Sequence, residues 1–432
     1  MAAVAPAGST AIRTSAPGPH PPTTRRSERP VVASVAVTRP RLRRAGKDDQ
    51  RLLEGPVDAA LGRVDTLDVM GPGYLASRDV WYRLLNCGFH IPAAAGTDVF
   101  LNRISSHPPG WGRAYVELTN GLQKLSRPEP LLIAIDQEGG RVSRLPNGFT
   151  IFPPCAWFGE CNSSEMAYAA AAVTAKELRA VGINMNMAPV LDVHSNPQNP
   201  IIGDRAVSGD PDQCGALALA IMRGLQDNRV VACGKHFPGH GDTSTDSHLE
   251  LPTVQASVER LQQVELKPFA HVIPHGLASI MTAHVMYPAL DPQWPATLSS
   301  PILTDLLRTQ LRFNGCIITD DLEMRAIVDH HGIEDAGLRA LHAGADMLLI
   351  CKDPVRQVKA MEAVLQAVDR GEISSDRIMA SLNRLAQVKR RFLDPYAPAE
   401  TSVARLIVGS RSHTALLDSI KQSRERRRHV AV

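Results

Sequence analysis

From Leu131 onward, six apolar or β-rich runs alternate with amphipathic stretches, and this alternation restricts the fold more than any other feature of the chain. The runs fall at 131–136, 183–189, 230–236, 279–284, 316–320 and 345–351, and the clearest amphipathic stretches at 164–181, 211–228 and 258–275. Apolar strands separated by helices predict a parallel sheet covered on its outer face. The first strand is not followed by G-x-G-x-x-G, which argues against a dinucleotide fold. The expected class is α/β, a (β/α) barrel.

In such folds chemistry sits where the strands end, because the loops there vary without disturbing the core. Most of these runs end in polar residues. The first leads into Asp136, Gln137, Glu138 and Arg141, the second into Asn184, Asn186 and Asp192, the fourth into His284, and the fifth into Thr319, Asp320 and Asp321. One acid after a strand can be only a helix cap, a reading that stays open beside the functional one for Asp321; five polar ends converging on one face point to a site. Carboxylates, Arg and His without a phosphate loop or metal spacing suit a sugar, whose hydroxyls need paired donors and acceptors.

The third run delivers the densest loop, KHFPGHGDTSTDSH at 235–248. Pro238-Gly239 is expected to stop the strand and Gly241 to support a turn. Asp246 and His248 lie two apart, so a carboxylate can set the tautomer and pKa of an imidazole, as a general acid/base requires. The competing zinc reading, with His236, His240, Asp242, Asp246 and His248 as ligands, matches no common zinc spacing.

Seven scattered cysteines, mostly inside apolar runs, favour a reducing, cytoplasmic setting. No apolar stretch approaches eighteen residues, so neither a membrane span nor a signal peptide is expected. The charge is uneven. Up to Lys47 there are nine basic residues against Glu28, while the remainder carries 38 basic and 43 acidic residues, a net of −5. The Pro-, Ala- and Arg-rich head is expected to be a solvated tail, and the basic run 424–429 a frayed helix end.

The segments IAIDQEGGRVSRL (133–145), NMNMAPVLDV (184–193), KHFPGHGDTSTDSH (235–248), IMTAHV (280–285) and IITDDLEM (317–324) together resemble the N-terminal barrel of family 3 glycoside hydrolases. Within that family the sequence is similar to the bacterial β-N-acetylglucosaminidase branch. The resemblance implies a retaining exo-β-N-acetylhexosaminidase that removes terminal N-acetylglucosamine from cell-wall muropeptide fragments. It further implies Asp320 as nucleophile forming a glycosyl-enzyme, His248 as acid/base and Asp246 as its partner. Asp136, Arg144, Arg205, Lys235 and His236 would hold the terminal sugar. Asp320 should be ionised by a nearby Lys235 or Arg. No metal or organic cofactor is implied, and the partner is a small carbohydrate, with no nucleic acid or membrane, bound by a monomer. A phosphorylase using the same site is the alternative, as is an inactive chimera.

Upstream the family pattern stops. A closed barrel needs strands before Leu131, and the family's usual apolar β-α-β segment is missing. Residues 67–116 instead weakly resemble a fragment of a PHP-type metallohydrolase, but His90 and Asp98 are too few for a metal centre. The expectation is therefore a (β/α)8 TIM-like barrel with its first two strands replaced or missing. Strands near 91–95 and 114–118 are candidates to complete it. The expected division is a basic tail over 1–55, an atypical segment over 56–127, the barrel domain over 128–395 and a C-terminal extension over 396–432.

Overall fold

The computed structural model describes residues 67–68, 93–94, 116, 119–120, 122–123, 130–247 and 249–430. All of them belong to the unit Leu52–Val432. The basic tail, His90, Asp98, Cys87 and His248 lie outside the described residues.

All six expected runs contain a strand, and the strands pair in sequence order as one parallel sheet: β3 (Ala134–Ile135), β4 (Met185–Asn186), β5 (Val231–Phe237), β6 (Ser279–Thr282), β7 (Cys316–Asp321) and β8 (Met347–Leu349). This is the order of a (β/α)8 barrel lacking two strands. β1 (Leu67–Asp68) and β2 (Ala93–Ala94) form a separate two-stranded parallel sheet. The strand expected near 91–95 thus pairs with β1 rather than with the six-stranded sheet. Val116, in the middle of the other candidate, is helical.

β3 and β4 are shorter than their apolar runs because side chains take over the ladder. Asn184 Oδ1 accepts from the Ile133 N–H at 2.8 Å and Asn186 Oδ1 from the Gln137 N–H at 3.0 Å, while their amide groups donate to the Leu131 and Gln137 carbonyls. The Asn pair, expected at the site, serves as ties between two strands.

Between the strands lie α1 (Ala156–Cys161) and α2 (Ser164–Ala180), then α3 (Pro211–Asp227), α4 (Val258–Gln263) and α5 (Lys267–Val272). After β7 come α6 (Arg325–Val328) and α7 (Ile333–Ala343); after β8 come α8 (Pro354–Asp369), α9 (Ser375–Leu393), α10 (Thr401–Ile407) and α11 (Arg411–Val430). The starts of α2 and α3 are capped by Ser163, which accepts from the Met166 N–H, and by Asp210. The single helix expected over 258–275 is broken because Pro268, which has no N–H to give, opens α5 instead.

Alternate residues along each strand face two different cores. Val231, Cys233, Met281, Cys316 and Ile318 form an inner cluster with Met185 and Met187, while Ala232, Ile280 and Ile317 face the helices. Val388, Phe392 and Leu393 of α9 join the inner cluster. Five of the cysteines are buried and unpaired thiols, acting as small apolar side chains. Among the described residues no helix is long and apolar enough to cross a membrane.

The basic run 424–429 is not frayed. It is part of α11, and Arg424 grips Glu160 with Nε and Nη2 at 2.6 and 2.8 Å while stacking 3.8 Å over the Trp157 ring. Trp157 and Glu160 both belong to α1, so paired cation and aromatic contacts hold the extension against the barrel.

Candidate active site

The C-terminal ends of the strands enclose a cavity of about 150 Å³ lined by Asp136, Glu138, Arg144, Arg205, Lys235, His236, His240, Ser247 and Asp320, with Met281 and Leu349. Asp136 follows β3 and Leu349 ends β8, so the two ends of the sheet order reach one cavity and the sheet curls. A cavity of this volume holds about one six-membered ring.

The centre of the site is Glu138, which the sequence placed in the right loop without a role. Its side chain is 1% exposed. Arg205 grips it through Nε and Nη2, both at 2.9 Å, and Lys235 Nζ lies 2.7 Å from Oε1. Burial alone would raise the Glu138 carboxyl, but the two cations outweigh it and hold it well below the ordinary carboxylate range. Lys235 also donates to Asp136 Oδ1 at 2.7 Å. Burial opposes the ammonium, yet Asp136 and Glu138 keep it charged, with its pKa above the usual lysine value. Two of its three donors are spent on these carboxylates. Arg205 spends three of five, counting the Nη1 bond to the Ile201 carbonyl at 3.1 Å.

Lys235 and His236 precede Phe237, the last residue of β5, all of whose residues are buried, and the strand stops before Pro238 as expected. His236 Nδ1 lies 2.7 Å from Asp192 Oδ2, and Asp192 Oδ1 accepts the backbone N–H groups of His236 and His240 at 3.1 and 2.6 Å. Burial would raise the Asp192 carboxyl, but the His236 contacts overcome this and lower it. Asp192 is therefore an orienting residue behind the cavity wall, with no direct part in its lining.

His240 bridges Thr243 Oγ1 at 2.8 Å and Ser247 Oγ at 3.2 Å. Burial, reinforced by His236, pushes its imidazole down to about 4, so it is neutral at pH 7. Asn199 Nδ2 donates to the His240 and Gly241 carbonyls at 2.8 and 3.0 Å, and Asn196 Nδ2 to the Thr243 carbonyl at 3.1 Å. The loop after β5 is thus clasped by residues after β4. Gly241 is required there by crowding: a Cβ would sit 1.6 Å from the Val193 carbonyl oxygen. The close approach, rather than a turn with positive φ, explains this glycine.

Asp320 is the one half-buried residue of β7, whose other residues are buried. Its Oδ1 accepts the Asp321 N–H at 2.8 Å. Asp246 is half-buried beside the cavity, and its carbonyl accepts the Leu249 and Glu250 N–H groups at 2.9 and 3.1 Å. Adjacent Ser247 lines the cavity. Arg144 lines it too, and its N–H donates to Gln137 Oε1 at 3.0 Å. Six of the eight residues singled out from the sequence therefore share the cavity, Asp246 flanks it, and His248 lies outside the described residues.

Other polar strand ends turn away from this site. His284 is fully buried between Thr297 Oγ1, 2.7 Å from Nδ1, and the Asp321 carbonyl, 2.9 Å from Nε2. Asp321 Oδ1 accepts the Glu323 and Cys351 N–H groups at 3.1 and 3.2 Å, tying β7 to the end of β8. No cluster of three or more His, Cys, Asp or Glu suited to a metal occurs among the described residues.

Comparison with known proteins agrees with this geometry. Residues 113–388 match the glycosyl hydrolase family 3 N-terminal domain. A beta-hexosaminidase of Nitrosomonas eutropha is 39% identical over 299 residues, covering 67% of this chain and 84% of the relative. The solved structure of a family 3 beta-N-acetylglucosaminidase from a Paenibacillus species superposes with a TM-score of 0.71 at 40% identity, over 79% of this chain and 64% of that one. A beta-glucoside phosphorylase also superposes, with a TM-score of 0.67 at 26% identity, over 72% of this chain and 57% of that one. This chain thus spans less than two thirds of either solved relative. Its matching domain, six-stranded sheet and polar cavity make it a member of glycosyl hydrolase family 3.

Proposed function

We propose that the chain is an exo-acting, retaining β-N-acetylglucosaminidase working on small cell-wall fragments as a cytoplasmic monomer. The observation that carries this reading is the meeting of Asp136, Arg144, Arg205, Lys235, His236 and Asp320 around one ring-sized cavity. The names of the Nitrosomonas and Paenibacillus relatives support N-acetylglucosamine as the sugar. The muropeptide aglycone rests on the resemblance to the bacterial branch. The barrel domain over 128–395 is the catalytic part in this reading, with 1–55, 56–127 and 396–432 as appendages.

In the proposed reaction Asp320 attacks the anomeric carbon as the glycosidic bond breaks, and His248 gives its proton to the departing oxygen. Water then attacks the glycosyl-Asp320 ester, with His248 taking the proton back. Asp246 stabilises the imidazolium. Asp136 and Lys235 offer an acceptor and a donor for sugar hydroxyls, and the Glu138 carboxylate keeps Lys235 and Arg205 charged and in place. Supporting the loop that bears Asp246 is the His240 bridge to Ser247, one residue away.

Release of p-nitrophenol from its β-N-acetylglucosaminide by the full chain tests this directly. Asp320→Ala is expected to lower turnover at least about 10³-fold, or about 4 kcal/mol of transition-state stabilisation. Retained turnover in that variant overturns the assignment of Asp320. The superposition with a phosphorylase favours a second reading, in which phosphate replaces water. Turnover that rises with phosphate and yields a sugar 1-phosphate would select it, and no turnover from a cooperatively folded chain would select an inactive chimera.

A further inference from the structure

We propose that Tyr287 is a positioning residue for the loop after β5, and that the segment 284–287, which follows β6, sets the spacing between that loop and Asp320. This rests on the glycosidase reading above. A retaining glycosidase needs its nucleophile and its acid/base to flank one bond at a fixed separation, and a misplacement of about 1 Å can cost about 100-fold in rate. Asp320 stands on β7, whereas Asp246 and His248 belong to the loop after β5, so the two sides of the reaction reach the cavity from different strands. β6 lies between those strands in the sheet. The chain leaving β6 is therefore placed to hold both.

Its contacts run both ways. On the loop side, Tyr287 Oη donates to the Gly239 carbonyl, the Met286 N–H donates to the Pro252 carbonyl at 2.9 Å, and the Val254 N–H donates to the Met286 carbonyl at 2.9 Å. Gly239 and 252–254 are the two ends of the loop that bears Asp246, so two adjacent residues hold both ends. Burial pushes the Tyr287 phenol up, so it keeps the proton it donates. Gly239 is also pressed by Glu265: a Cβ at Gly239 would lie 2.8 Å from Glu265 Cβ, and the Glu265 side chain, 1% exposed, is fixed by Arg260 Nη1 at 2.5 Å. On the nucleophile side, His284 Nε2 lies 2.9 Å from the carbonyl of Asp321, the neighbour of Asp320. A carbonyl only accepts, so Nε2 carries the proton. The segment is itself braced, since the Ala296 N–H donates to the Val285 carbonyl at 2.9 Å and the Leu290 and Asp291 N–H groups to the Tyr287 carbonyl at 2.8 and 2.9 Å. The clasps from Asn196 and Asn199 end at Thr243. Beyond it the loop depends on Ser247, held by His240 and by the Ala326 N–H at 3.3 Å, and on the bracket at 284–287.

Tyr287→Phe in the full-length chain removes the hydroxyl and keeps the ring. The readout is kcat/KM for two β-N-acetylglucosaminides with different leaving groups: p-nitrophenol, which departs with little help from a proton, and phenol, a far weaker acid that needs one. With the loop displaced, kcat/KM for the phenyl glycoside is expected to fall about 10- to 100-fold and that for the p-nitrophenyl glycoside at most about threefold. An equal loss for both substrates overturns the positioning role, because a lower folded fraction or a shifted nucleophile acts on both alike. So does full activity on both. Hydrogen exchange on the wild-type chain adds a test that needs no variant: peptides over 252–256 and 284–288 are expected to exchange at least about tenfold more slowly than in the denatured chain. Denatured-like exchange there overturns the bracket even if Tyr287→Phe yields no soluble protein. A wild-type chain that cleaves neither glycoside while these peptides stay protected overturns the glycosidase reading, and the positioning role falls with it.

Discussion

Two buried carboxylates, Glu138 and Asp346, sit at opposite ends of the same sheet, each surrounded by cations. Glu138 follows β3 at the C-terminal end and is held by Arg205 and Lys235. Asp346 precedes β8 at the N-terminal end, where Arg308, Arg384 and Arg377 approach it, Ser381 donates at 2.6 Å and the Ile317 N–H at 3.0 Å. The chemistry is nearly the same, but the surroundings differ. Around Glu138 the cations border a cavity that also contains Asp136, His236 and Asp320. Around Asp346 the donors come from the π-helical segment Pro301–Gln310, from α9 and from the start of β7, and fasten those elements together. Position along the strand decides whether such a network serves a ligand or the fold.

Removing each carboxylate is the strongest test of that contrast. Asp346→Asn leaves three guanidinium groups facing a neutral amide, and Glu138→Gln leaves Arg205 and Lys235 short of a counter-charge. Losing one partner of a buried pair costs about 3–5 kcal/mol, so urea midpoints should fall strongly for both. Turnover per folded molecule should separate them: Glu138→Gln loses it, while Asp346→Asn keeps it close to wild type. Equal loss of kcat in the two variants would erase the distinction between the ends of the sheet.

pH should sharpen the comparison by a smaller amount. The Glu138 end contains His236 and His240, whereas the cations around Asp346 are all Arg, which stay charged. His240 has its pKa lowered from 6.5 to about 4, chiefly by burial. The fold thus resists protonating it, while the unfolded chain takes up a proton below about 6.5. Its contribution is complete above pH 6.5 and is lost between there and about 4, at about 1.4 kcal/mol per unit and up to about 3 kcal/mol in all. The lowered carboxyls of Glu138 and Asp192 add their loss only below the ordinary carboxylate values. Unfolding midpoints between pH 7 and 4.5 should therefore slope for the wild type and flatten for His240→Gln. An unchanged slope would mean that His240 is protonated in the fold.

How much of this was legible in the sequence depended on whether a residue's identity also fixed its direction. Apolar runs located all six strands of the main sheet, because a buried parallel strand has few polar positions with which to disguise itself. Lys235, His236 and Asp320 stand at strand ends, where the backbone itself aims them. Asn184, Asn186 and His284 stand at similar ends, yet they turn to backbone carbonyls and N–H groups of neighbouring strands or to Thr297. Residue type gave no sign of that choice. Glu138 was overlooked for a related reason: its role comes from Arg205 and Lys235, 67 and 97 positions away. A spacing signal did exist, since Asp136 and Glu138 are two apart at a strand end, where alternate residues share a face. The clasp of His240 and Asn199 on the loop after β5 joins positions 41 apart and left no local pattern.

Arg205→Lys offers the finest test, because it preserves charge and changes only geometry. The two Glu138 bonds, each 2.9 Å, use the planar fork of a guanidinium, and an ammonium cannot reproduce both. If Glu138 matters through position, the carboxylate will shift and release Lys235 from its place between Asp136 and Glu138. kcat/KM is then expected to fall about 10- to 100-fold, or about 1.4–2.7 kcal/mol. Stability should change less than in Glu138→Gln, since no charge is left buried without an opposite. At the other end of the sheet, Arg384→Lys removes one of several donors to Asp346 and should leave kcat/KM unchanged. A charge-only role for Arg205 would show as full activity in Arg205→Lys, and the cavity would then owe its order to Lys235 and Asp136 alone.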